Sequence, residues 1–215
     1  MPAAPAILPT IHRLLSLPFA LKIATQDYHP PTHISFAVSH PPPHNTPFVS
    51  TTAISHPDDP TRTYTTQLWP VHCVAGTPGA DLVDGLSGFD RVVRKGMDAR
   101  IEMYSAFTDP FHKVDERGRY ESGSRSVCTS ELREVLEERG VTHLYLVGLA
   151  TEYCVTATAI DGARFGFDVC VVREGTRAVG GVEEEEKCYQ DKLPKEGVKV
   201  VGIEDAEVRW VGEVE

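Results

Sequence analysis

No stretch of the 215 residues approaches the ~20 consecutive apolar positions that a membrane-spanning helix requires. Basic residues are also scarce: 21 Lys and Arg stand against 31 Asp and Glu, a net charge of −10. With no basic face to meet phosphates, nucleic acid and anionic membrane are excluded as expected partners. The five cysteines, Cys73, Cys128, Cys154, Cys170 and Cys188, form no C-x-x-C pair and are odd in number. That excludes a disulfide frame and points to reduced thiols in a cytoplasmic compartment, with the nucleus as an alternative. The N-terminal segment 1–22 is apolar but cut by four prolines and has no basic start, so no secretory signal is expected. No internal repeat is present. What remains is 41% hydrophobic and 24% charged residues, the balance of a globular chain long enough for one domain with a full core.

Along the chain, Ile7, Leu8, Ile11, Leu14 and Leu15 recur at helical spacing, which predicts an amphipathic helix over 7–16. The apolar run Phe19–Ala24 reads as a buried strand. Residues 37–66, rich in Pro, Ser, Thr and His without periodicity, are expected to be a long loop insertion within a single domain spanning 1–215. The histidines of that loop, His40, His44 and His56, are read as incidental. A short strand is expected at 89–95. A helix is expected at 130–139, with acids in its first turn and Gly140 beyond its end. "HLYLVGLA" (143–150) reads as a buried strand, 153–167 as a helix with Val155, Ala159 and Ala163 on one face, and 168–172 and 198–203 as further strands. The acidic run Glu183–Glu186 reads as a solvated loop. Strands alternating with helices predict an α/β fold, a doubly wound and mostly parallel sheet with helices on both faces.

In such sheets ligands bind at the C-terminal ends of strands. Three polar groups fall there: Asp27 with His29 and His33, then Lys95, then Cys154. Residues i and i+2 of an extended segment point the same way, so Asp27 and His29 can reach one cation. Carboxylate with imidazole suits zinc, iron or manganese, and "WPVHC" offers His72 as a third ligand. A cysteine at the head of a helix, such as Cys154, meets unpaired N–H groups that favour thiolate and can hold an oxyanion. An ammonium from Lys95 nearby pushes in the same direction. The other four cysteines are read as packing residues.

These residues carry a resemblance. "TQDYHPPTHISFA", "WPVHC", "KGMDARIEMYSAF" and "VGLATEYCVTATAIDGARFGFDVCVV" are similar to the motifs of nicotinamidases, in the isochorismatase-like hydrolase family, in the family's order from about residue 22 to 203. The resemblance implies a metal-dependent cysteine amidohydrolase that converts nicotinamide and water to nicotinate and ammonia, a step of NAD salvage. It implies Cys154 as nucleophile, Lys95 in the catalytic triad, and Asp27, His29 and His72 as ligands of one divalent ion, zinc first, with iron or manganese as alternatives. His33 is either a fourth ligand or a supporting group. Trp69 and Tyr104 match the walls of the pyridine pocket, and Leu149-Ala150 matches a cis peptide that lines the oxyanion hole with the Cys154 backbone. A homo-oligomer is compatible with it.

One departure is expected to matter. The family pattern opens with a strand whose aspartate completes the triad, whereas here Met1 is followed almost at once by the helix at 7–16. The first strand of the sheet and the triad aspartate are therefore expected to be missing, leaving unpaired strand edges. Two alternatives stand beside the amidohydrolase: a catalytically impaired relative that binds metal or nicotinamide, and another isochorismatase-like hydrolase.

Overall fold

The computed structural model describes residues 4–121, 123 and 125–213. A short 3-10 turn leads into α1 (Leu8–Leu15), which buries Ile11 and Leu14. Then come β1 (Ile23–Asp27), β2 (Thr51–His56), β3 (Asp59–Gln67), β4 (Arg91–Lys95), α2 (Leu132–Glu138) and β5 (His143–Leu149). A π turn at Thr151–Val155 opens α3 (Thr156–Arg164), followed by β6 (Asp168–Arg177), α4 (Val182–Lys187), α5 (Leu193–Lys195), β7 (Lys199–Val201) and α6 (Ala206–Glu213).

The α/β architecture with helices on both faces is as expected, and β6 shows why. Val169 and Val171 pack with Val155 and Ala159 of α3 and with Leu193 on one face. Cys170 and Val172 pack with Leu14 of α1 and Val208 of α6 on the other. Alternate residues of a strand point to opposite faces, so a strand covered on both sides must be apolar throughout. All four residues are buried.

The parallel strands fall into two separate ladders. β1 pairs with β4, and β5 pairs with β6 and β6 with β7. Among the described residues no ladder joins β1 to β5. Between them lies a cavity of about 380 Å³, lined along its length by both strands.

Several elements differ from the sequence reading. β1 begins at Ile23, not at Phe19. Phe19 instead packs at a tilt against Tyr145 with ring centroids 5.3 Å apart, so the connector, not the strand, uses its apolar side chain. The supposed loop at 37–66 contains an antiparallel hairpin, β2 and β3. Its threonines and Tyr64 are strand formers, a signal masked by the prolines around them. "HLYLVGL" is a strand, but not a buried one: none of its residues is fully buried and Leu149 is 39% exposed. The open side toward β1 accounts for this. Glu183–Glu186 lie in a helix, not a loop. Their negative charge at the first turn complements the helix dipole, and Lys187 pairs with Glu184 at 2.6 Å.

Candidate active site and metal centre

Parallel pairing in register sets Asp27, last residue of β1, beside Lys95, last residue of β4. Lys95 is only 4% exposed, and its Nζ lies 2.6 Å from Asp27 Oδ1. The same ammonium donates to the Met103 carbonyl at 3.1 Å and to Cys154 Sγ at 3.5 Å. Cys154 arrives from the other half of the sheet. β5 ends in a cis Leu149–Ala150 peptide, and the Ala150 carbonyl accepts the N–H groups of Tyr153 and Val155 as the π turn begins.

Burial favours the neutral form of any acid, and here it pushes the Cys154 thiol up to about 12, although the Lys95 ammonium pulls the other way. Burial works against the Lys95 charge too, but Asp27, with Cys154 and Glu102, more than offsets it and keeps the ammonium protonated. Desolvation pushes Asp27 up, but Lys95, His29 and His72 together outweigh it and keep the carboxyl below its ordinary value. Among the described residues, Lys95 is the hydrogen-bond partner of the sulfur, and no carboxylate or imidazole is within such reach of it.

On the other side of Asp27, one ligand atom each from Asp27, His29 and His72 lie within 4.8 Å of one another. His29 Nδ1 faces the Gly96 carbonyl at 2.8 Å, and His72 Nδ1 faces the Pro70 carbonyl at 2.9 Å. A carbonyl only accepts, so both rings carry the proton on Nδ1 and present a bare Nε2. Burial keeps His29 below its ordinary pKa, which maintains the neutral ring that a metal needs. One carboxylate and two such imidazoles fit a divalent ion with open positions. His33 is not among them. Its Nε2 donates to the Ile101 carbonyl and its Nδ1 accepts from Ser35, so both ring nitrogens are taken. The ring supports His29, with centroids 4.2 Å apart.

Gly96 fixes this corner. Its φ is +67°, and a Cβ there would sit 2.5 Å from His29 Cε1. Only glycine combines that backbone with that approach.

The two aromatics expected from the motifs cluster with a third that was not, the neighbour of Cys154 in sequence. Trp69 Nε1 donates to Tyr104 Oη at 2.9 Å, and Thr66 Oγ1 shares that oxygen. Tyr153 lies edge-on to Trp69, with centroids 4.7 Å apart, and 5.2 Å from Tyr104. Tyr153 directly precedes Cys154, so its neighbourhood to the thiol was the available signal. Glu102 was also missed. It is 2% exposed beside His29 and Lys95, and burial raises its pKa. The signal was a lone carboxylate between Ile101 and Met103, both buried.

Residues 37–205 match the family described as the isochorismatase domain, and the chain belongs to that family. Within it, the chain falls in the nicotinamidase and pyrazinamidase group. It is 33% identical over 186 residues to the nicotinamidase of Saccharomyces cerevisiae, covering 83% of this chain and 78% of that one. The solved yeast nicotinamidase superposes with a TM-score of 0.77 at 30% identity, covering 94% of this chain and 89% of the other. A pyrazinamidase of Pyrococcus horikoshii, solved in complex with zinc, gives 0.65 at 28% identity, covering 94% and 88%. Like these relatives, the chain is of an enzyme family, a hydrolase with a residue cluster able to hold a divalent metal. Among the described residues no helix is long and apolar enough to cross a membrane.

Proposed function

We propose that this chain hydrolyses nicotinamide to nicotinate and ammonia, with Cys154 as nucleophile. The carrying observation is the Lys95 ammonium, held between Cys154 Sγ at 3.5 Å and Asp27 at 2.6 Å, next to the Asp27/His29/His72 trio. Trp69, Tyr104 and Tyr153 provide aromatic walls for a flat pyridine ring. Asp27, His29 and His72 would hold a divalent metal, zinc with iron or manganese as alternatives, which would supply Lewis-acid binding to the pyridine ring.

The residues of the chain do the rest. The ring pocket holds the carboxamide over the sulfur, which lowers the entropic part of the barrier. Sulfur attacks the carboxamide carbon as the thiol proton passes to the carboxamide nitrogen, and the Lys95 ammonium stabilises the negative charge that builds on the sulfur. Backbone N–H groups at Ala150 and Cys154 hold the oxyanion. The C–N bond breaks, the proton leaves with the nitrogen as ammonia, and a thioester to Cys154 remains. Water then cleaves the thioester, releasing nicotinate and restoring the thiol. A reducing, cytoplasmic location suits the five unpaired cysteines.

A second reading, binding of metal or nicotinamide without turnover, draws on one observation: the thiol sits at about 12 with no base in contact. Ammonia release from nicotinamide by the metal-loaded chain separates the two. Saturable release that is lost in Cys154→Ala supports the hydrolase; nicotinamide binding without release supports the alternative.

A further inference from the structure

Among the described residues, left-handed backbone falls on glycine at every position but two, Cys73 with a φ of +47° and Phe48 with a φ of +63°. A residue with a Cβ is strained there, and such strain persists where the surroundings impose it, most often at a site. For Cys73 the reason is at hand. It follows His72 directly, and its carbonyl accepts the His29 N–H at 2.9 Å, so its backbone joins two of the clustered ligands. Phe48 has no such duty, and with its side chain 54% exposed, burial gives little in return for the strain. Its backbone is nonetheless tied down. The Phe48 N–H donates to the Leu68 carbonyl at 2.8 Å, the Leu68 N–H donates to the Ser50 carbonyl at 2.9 Å, and the Thr46 carbonyl accepts from both Val49 and Ser50. Leu68 immediately precedes Trp69, and the Phe48 ring meets the Trp69 indole edge-on with centroids 5.6 Å apart.

We propose that Phe48 is a positioning residue for the aromatic pocket: its ring braces the Trp69 indole and so sets how tightly a flat ring substrate binds. An indole turns about two side-chain torsions, and the other contacts of Trp69 do not stop both. The Nε1 bond to Tyr104 Oη holds a single atom, and the Tyr153 ring that lies against the indole is itself only half-buried. Phe48 supplies a second, edge-on ring contact from a loop whose backbone bonds lead back to the residue beside Trp69. An aromatic pair of this geometry adds to what area burial alone provides. The strained φ is what aims the ring. A residue at +63° leaves the chain in a direction that ordinary extended or helical backbone does not offer, and here that direction leads to an indole that is only 8% exposed. Among the described residues, Trp69 is the ring that Phe48 contacts, so its influence on a substrate passes through that wall.

The proposal rests on the reading of Trp69 as a pocket wall, and its test has one arm that needs no turnover. The chain has two tryptophans, so Trp210→Phe leaves Trp69 as the sole indole emitter. In that background Phe48→Asn removes the ring but keeps a residue that tolerates left-handed backbone, and Phe48→Tyr keeps the ring. Expected for Phe48→Asn is stronger quenching of Trp69 emission by acrylamide than in the Trp210→Phe reference. The KM for nicotinamide is expected to rise ~tenfold with kcat within ~twofold, the pattern of lost uniform binding. The melting temperature is expected to fall by less than ~4 °C, because a strained, half-exposed ring is what has been removed. Phe48→Tyr is expected to match the reference in all three. Unchanged quenching in Phe48→Asn, equal losses in Phe48→Tyr, or a large melting shift with KM unchanged overturns the proposal. A reference chain that releases no ammonia sinks the reaction assigned above and not this proposal, which the quenching of the Asn and Tyr variants then decides.

Discussion

Lys95 and Asp27 end neighbouring parallel strands, and their charged atoms lie 2.6 Å apart in a place where Lys95 is 4% exposed. Asp27 thereby faces two cationic duties, the ammonium on one side and the His29/His72 corner on the other. Removing one partner of a buried pair leaves the other charge uncompensated, a loss of about 3–5 kcal/mol. Asp27→Ala is therefore expected to destabilise the metal-free protein by that amount. His72→Ala, which abandons no buried charge, is expected to cost far less. Urea unfolding in chelator gives both values, and equal losses would contradict the assignment.

Cys154→Ala is expected to abolish ammonia release while leaving metal content unchanged, because the thiol touches Lys95 and is not one of the clustered ligands. Elemental analysis alongside the assay checks this. Turnover at the parent rate in the variant would remove Cys154 from the mechanism.

Gly96→Ala puts a methyl group into the His29 ring and an L side chain at a φ of +67°. The imidazole has to turn away from the Gly96 carbonyl, so metal affinity is expected to fall by ~10–100-fold, the usual penalty for losing a partner that orients a ligand. Competition with a chromogenic chelator measures it. The circular dichroism of the variant should stay that of the parent.

Asp161 gives a signed pH dependence. Burial raises its pKa from 3.8 to about 6, against the hydrogen bonds from Ser105 and Tyr120. Between those values the folded chain holds a proton that the unfolded chain releases, so stability is lost as pH rises through the window. At about 1.4 kcal/mol for each unit, the loss is about 3 kcal/mol. His33, pushed down to about 4 by burial, titrates in the same window with the opposite sign. The quantity to measure is thus the parent minus Asp161→Asn difference in unfolding free energy at pH 4 and pH 7. An unchanged difference would refute the shift.

Much of the site was legible because it is built from strand ends. Asp27 and Lys95 end two strands that pair in parallel and Cys154 follows the end of β5, whereas His72 lies in the turn beyond β3. Periodicity also placed α1 and the face of α3 that meets β6. Less legible were features that depend on partners distant in sequence. Nothing local to His33 shows that Ile101 and Ser35 take both its ring nitrogens. Nothing local to "HLYLVGL" shows that one edge of the strand is open, since its composition is that of a covered strand. The hairpin is hidden for a different reason: the prolines at 41–43, 47, 57 and 60 mask the β-branched residues of its strands.

The sulfur sits in the turn that follows β5, and the ammonium that faces it ends β4, so the two are carried by different hydrogen-bonded ladders, β5–β6–β7 and β4–β1. No backbone ladder among the described residues fixes their separation; side-chain packing on the two faces of the cavity between β1 and β5 sets it. Mild urea or hydrostatic pressure should therefore uncouple sulfur from ammonium before either ladder melts, and inactivation should precede the loss of secondary structure.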